Sequence, residues 1–182
     1  DGALGVDAGV SLLASRAAIS GGLPRAFTRS VGLGPVNGRV SFRRSYFDVL
    51  LRPFFDFPYH LTDLQGAAEV WTDNGVWTVT GYTGEDVLDL RDSGDFPLLL
   101  RLAWGNDVAG LRWRGLLAGL DVDTRLSSSA FATAIRFPDF ADTRIGTTIS
   151  DVRAALDLGV PLGRTRLGIG GELVRLVYDN GF

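Results

Sequence analysis

The chain contains no cysteine and no methionine, and its only histidine is His60. Without cysteine it can form no disulfide, no thiolate metal site and no thiol nucleophile. Without methionine, Asp1 is no initiator, so the sequence is expected to be a processed or trimmed piece of a longer chain. A signal peptide already removed leaves no trace. No run of about 18 apolar residues occurs, which excludes a transmembrane helix; a transmembrane strand needs only about 9–11 residues and stays open. Excess positive charge is also lacking. The net charge is -3, which argues against a nucleic-acid partner.

Glycine and aromatic residues are abundant. There are 24 Gly, and Phe, Trp and Tyr make up 10% of the 182 residues. That mixture suits strands, bends and turns more than helices. The clearest stretch is Tyr59 to Tyr82, two alternating runs around Thr72-Asp73-Asn74-Gly75 with Trp71 and Trp77 on either side. Asn-Gly between alternating runs predicts a tight hairpin with positive φ at the turn. Asp63, Gln65, Glu69, Thr78 and Thr80 occupy one set of alternate positions, and the other set is apolar.

The same unit recurs along the chain. Strands are predicted over 2–12 and 14–22, followed by a loop over 23–37 with two Pro and two Gly. A strand over Val40 to Leu51 puts Arg44, Tyr46 and Asp48 on one face, and Pro53 to Pro58 interrupt it. The hairpin follows, its second strand continuing towards Leu90. Further strands fall at 98–117, 120–137, 149–160 and 165–178, and Asp179-Asn180-Gly181 reads as another turn. The result is an all-β, antiparallel up-and-down meander of about nine strands in one segment, 1–182, with no helix.

Turns at 73–75, 118–119 and 163–164 are short, whereas connections at 52–58, 91–97 and 138–148 are longer. Outer-membrane barrels show this asymmetry, with short periplasmic turns and long outer loops. The loop at 23–37 breaks the rule. Several strands exceed the usual 5–6 residues, and the polar faces carry charges of both signs. Trp71, Trp77, Phe54, Phe55, Tyr59, Phe137 and Phe140 gather at strand ends, as interfacial girdles do. The pattern therefore favours part of a transmembrane β-barrel, open or incompletely closed. A soluble β-barrel binding an apolar ligand also alternates, with its apolar face inward.

Several stretches together resemble the barrel of outer-membrane TonB-dependent receptors, of the kind with a carboxypeptidase-regulatory-like N-terminal domain. They are GVSLLASRAAISGGLP at 9–24, GRVSFRRSYFDVLLRPF at 38–54, PYHLTDLQGAAEVWTDNGVWTVTGYTGEDVLDL at 58–90 and LAWGNDVAGLRWRGLL at 102–117. Arg43 to Tyr46 and Trp104 to Asp107 are the most characteristic pieces. The resemblance spans residues 2–138 in order and implies a protein of the bacterial outer membrane. Such receptors wrap a 22-stranded barrel around a plug domain. They import iron chelates, cobalamin or glycans with energy relayed by TonB. The plug and TonB box are missing here, and nine strands is an odd, small number. The expectation is therefore the first part of such a barrel, whose partners are the bilayer, the plug, the remaining wall and, through the full protein, TonB. The alternative is a small plug-less membrane barrel with a structural or binding role.

Enzyme chemistry finds little footing. His60 beside Pro58 and Tyr59 lacks a triad and reads as an ordinary strand-end residue. Asp121 and Asp123 share a strand face but not the 6–8 oxygens that Ca²⁺ needs. Gly168-Ile169-Gly170-Gly171 lacks the helix of a nucleotide loop. The expectation is no catalysis, no metal and no cofactor. What remains is a lumen- or plug-facing set: Arg44, Asp48, Asp63, Glu69, Arg112, Arg114, Asp121, Asp123, Asp151 and Arg153. Its arginines and acids are expected to pair across the wall.

Overall fold

Alternation drives the architecture. A computed structural model describes residues 4–54, 57–91 and 99–181, and almost all of them lie in strands. The strands are β1 (Leu4–Val10), β2 (Ala14–Gly22), β3 (Val36–Ser45), β4 (Tyr59–Thr72), β5 (Gly75–Asp89), β6 (Arg101–Leu117), β7 (Leu120–Phe137), β8 (Thr143–Leu162) and β9 (Thr165–Gly181). Each pairs antiparallel with the next, in the order β1 to β9, forming one open sheet. Among the described residues β1 and β9 keep free edges.

Two short helices correct the sequence expectation. α1 (Arg25–Ser30) occupies the segment read as a loop. α2 (Phe47–Leu50) ends the strand expected to reach Leu51, so Phe47, Val49 and Leu51 do not share a strand face. The break comes where β3 can no longer pair: its register stops at Arg44 opposite Thr62, and the Ser45 hydroxyl accepts the Leu61 amide instead. Asp179 to Gly181, expected as a turn, continue β9 opposite Thr148 to Gly146.

The hairpin at 73–74 differs in kind from its expectation. Asp73, Asn74 and Gly75 all have negative φ; positive φ occurs instead at Ala118 and Gly119 and at Gly163. Gly75 is needed for close approach. A Cβ there would meet the Arg114 carbonyl oxygen at 2.5 Å, and one on Gly115 would run into the carbonyl of Asn74. The Leu116 amide donates to that Asn74 carbonyl at 2.9 Å, fastening the turn to β6.

One register assigns the two faces from β1 to β9, because directly paired residues point the same way. One face carries Val79, Leu111, Leu126, Ala154 and Leu173 in a single row across five strands. The other carries Thr78, Arg112, Arg125 and Glu172. Trp71 pairs with Val76, and Trp77 with Val70 and Trp113, so the two hairpin tryptophans lie on opposite faces. The Trp77 and Trp113 rings meet at 6.2 Å on the apolar face.

Among the described residues no second layer of secondary structure covers the apolar face. Among the described residues the buried hydrophobic side chains are Ala18, Val76, Val87, Leu90 and Val122, too few for a core. Leu173 is 78% exposed, Ile169 75% and Leu126 52%. These side chains form a belt towards the short-turn end. It runs over Leu64–Thr72 in β4, Ala109–Leu117 in β6, Leu120–Ser128 in β7 and Val152–Leu162 in β8. Small and polar residues replace it towards the loop end, starting in the row Asp107, Ala130, Ser150.

The belt also slants across the register. Val10, its last member in β1, starts a row through Ser15, Arg44, Thr62, Glu85, Gly105, Ala132 and Thr148. In β8 the belt begins at Val152, four residues nearer the short turns than Thr148. Such stagger is what strands tilted to a common axis produce.

Candidate functional site

The charged face is built by the partners of the apolar belt, one residue out of phase. Over most of its length it is a lattice of arginines and carboxylates. Arg43 contacts Asp63 through Nε at 2.8 Å and a terminal nitrogen at 2.6 Å, and Asp63 is buried. Arg16 meets Asp7 at 2.9 Å in the open. Arg112 pairs with Asp123, and Arg125 with Asp157. Arg153 meets Asp151 at 2.6 Å, and the Ser129 hydroxyl donates to the same carboxylate. Arg166 reaches from β9 across β8 to Asp121 in β7, at 2.8 Å. Gly159 makes that crossing possible, since a Cβ there would sit 2.6 Å from the Arg166 Nε.

Eight of the ten residues singled out from sequence share this face: Asp63, Glu69, Arg112, Arg114, Asp121, Asp123, Asp151 and Arg153. Two do not, which corrects their expected placement. Arg44 lies opposite Ser15 and Thr62 on the other face, and Asp48 sits in α2. They do pair with one another, at 3.1 Å, from the end of β3 to the start of α2. Of the expected partners, Asp121 takes Arg166 rather than a neighbour on β6, and among the described residues Arg114 has no ion pair within 4 Å.

Sequence reasoning left Arg16, Asp7, Arg125, Asp157 and Glu172 out of the set, and put Arg44 where Arg43 belongs. Extending the alternation of β3 back through Val36, Val40 and Phe42 puts Ser41 and Arg43 on the polar side.

Towards the loop end the charged face becomes aromatic. Tyr59 stacks on Trp104 at 6.2 Å, meets Phe47 of α2 at 5.7 Å and Phe57 at 6.1 Å, and donates to Asp86 at 2.5 Å. Leu61, Leu88 and Leu102 border it in the same register. In the loop after β7, Asp142 accepts two bonds from Arg136 at 2.5 Å, and that guanidinium holds its carboxyl below the usual range. Asp142 and Ala141 both have positive φ.

The remaining candidates are placed as follows. His60, second in β4, pairs with Val87 on the apolar side of the sheet. Gly168 to Gly171 lie inside β9. Among the described residues no three of His, Asp and Glu gather in a way that would hold a metal ion. No described helix is long and apolar enough to cross a membrane, which says nothing about strands. Searches of family models, curated proteins and solved structures find no match to the chain.

Proposed function

We propose that the chain is a section of the wall of an outer-membrane β-barrel, belonging to a TonB-dependent receptor that imports a scarce ligand. The observation that carries the wall is the uncovered apolar belt backed by a charged lattice. A soluble sheet of this size exposing Leu126, Ile169 and Leu173 would bury them against a second layer. In a bilayer the belt is already solvated by lipid, and the charged face looks into the lumen.

The dimensions agree. The 11 residues Val152–Leu162 rise about 3.3 Å each; with strands tilted by about 45° they span roughly 25 Å, the height of a barrel's apolar band. Short turns then mark the periplasmic side, and α2 and the longer loops the outside.

The receptor assignment rests on the resembling stretches and on where they lie. Ser45, within the piece Arg43 to Tyr46, bonds to Leu61 beside the aromatic cluster, and Trp104 is part of that cluster. In this reading Asp63, Glu69, Arg112, Asp123 and Arg153 face the plug. A closed nine-strand barrel is disfavoured, because β1 and β9 run in the same direction and cannot join antiparallel.

The test is capture by TonB. The intact protein, extracted from outer membranes, is expected to bind the periplasmic domain of its host's TonB and to release it when the TonB box is deleted. Recovery in the outer membrane without TonB binding would remove the receptor assignment and leave the wall.

A further inference from the structure

Three arginines stand abreast on the lipid side of the sheet, beyond the apolar belt. Arg101 in β6 is directly opposite Arg136 in β7, and Arg136 is directly opposite Arg144 in β8. Like charges directly opposite destabilise a sheet, so a row of three calls for a counter-charge. Among the described residues only part of it is supplied. Asp142 takes Arg136. Asp89 lies 3.7 Å from Arg101 but is held by Arg91 at 2.5 Å. Among the described residues Arg144 has no ion pair within 4 Å. Glu85, Asp107 and Asp179 occupy this face in rows nearer the belt and form no ion pair with the three.

The row also leaves room. Arg101, Arg136, Arg144 and Asp142 surround a cavity of about 420 Å³ that is floored by Ala103 and Ala134. The next positions towards the belt are Gly105, Ala132, Gly146 and Thr148, so a shallow channel of small residues leads from the guanidiniums to the lipid.

We infer that this shelf binds the phosphorylated headgroup of a glycolipid in the surrounding leaflet. All 18 basic residues of the chain are arginine. Guanidinium forks match phosphate oxygens in pairs, which an ammonium does not. Height selects the class of lipid. The arginines lie six residues beyond the row of Asp107, Ala130 and Ser150, or about 14 Å at barrel tilt. A phospholipid phosphate lies close to the hydrocarbon, whereas a phosphate carried on a saccharide reaches outwards. The acyl chains of such a lipid would lie against Leu111, Leu126 and Leu156.

The inference rests on the wall reading, and the experiment separates the two. The intact protein is reconstituted into nanodiscs of neutral phosphatidylcholine, then into discs doped with phosphatidylglycerol, with a rough-type lipopolysaccharide phosphorylated on its core sugars, or with the same glycolipid lacking the core phosphates. Lipid retained through size exclusion is measured by mass spectrometry. Failure to insert into neutral discs overturns the wall reading and this inference with it. Given insertion, the wild type is expected to retain the core-phosphorylated glycolipid at least ~10-fold over the form lacking core phosphates and over phosphatidylglycerol. R101Q/R136Q/R144Q should abolish that preference, and R101K/R136K/R144K should keep part of it. Arg39→Gln, on the opposite face, should leave it intact. Equal retention by wild type and the Gln triple, or equal retention of phosphatidylglycerol, overturns the inference.

Discussion

Asp63 shows what a single side chain does in this sheet. It is buried, and Arg43 satisfies it through two nitrogens, so removing its charge leaves a guanidinium without its partner. Asp63→Asn is expected to cost about 1–3 kcal/mol in urea unfolding from bilayers. Asp7→Asn, whose pair with Arg16 is more than half exposed, should cost under about 1 kcal/mol. Equal costs would mean that burial does not set the value of these pairs. Backbone contact is stricter. Gly115→Ala drives a methyl into the Asn74 carbonyl and should cost about 1–3 kcal/mol, whereas Gly171→Ala, with open space around it, should change little. Asp142 supplies a pH signature outside the wall. Its folded pKa is depressed by Arg136, so its contribution is present above the unfolded value of about 3.9 and is lost as pH falls through the depressed one. Asp142→Asn should remove that acid-side step from melting curves. Most of these side chains were legible as polar positions in an alternating run. The pairs were less so, because diagonal and next-but-one contacts such as Arg166 to Asp121 depend on inter-strand register, which no single strand contains.

At the scale of elements, β6 and β7 were legible near their shared turn, where Leu111–Leu117 and Leu120–Ser127 alternate and a two-residue turn at 118–119 fixes their phase; beyond Ser127 the phase was unclear. β3 was not, because Phe47-Asp48-Val49-Leu50 alternates as well as any strand while its neighbour offers nothing to pair with. α1 was hidden for a related reason: its six residues, Arg25–Ser30, are too few for a helical period to emerge. Depth along a strand is a further property that alternation omits. The belt occupies only the lower part of each long strand, so outward positions on one strand should differ. Leu126→Arg, inside the belt of β7, is expected to cost about 2–4 kcal/mol, and Ala134→Arg, beyond it, about 0–1 kcal/mol. Similar costs at both would place the membrane elsewhere on the sheet.

Across the whole molecule, the parity of the strands constrains how the wall is completed. β1 and β9 both run from the short-turn end to the loop end, so in an antiparallel barrel each would need a neighbour running the other way. An antiparallel barrel containing this segment therefore has an odd number of further strands. Cysteines at Val6 and Leu173 in the intact protein should cross-link to strands outside this segment and not to each other. Fold class was open to sequence because periodicity reports pairing and alternation. The side that faces water was not, since an inward and an outward apolar face have the same period. That distinction is the central claim, and β7 tests it most directly. These 182 residues contain no cysteine, so cysteines placed singly at positions 121–127 and labelled with a fluorophore report each site separately. In native outer membranes, labels at Val122, Thr124 and Leu126 are expected to be quenched by a lipid-chain nitroxide, and those at Asp123, Arg125 and Ser127 to be untouched by it. Quenching without alternation, or quenching of the Asp123 set instead, would contradict a wall with its belt in lipid.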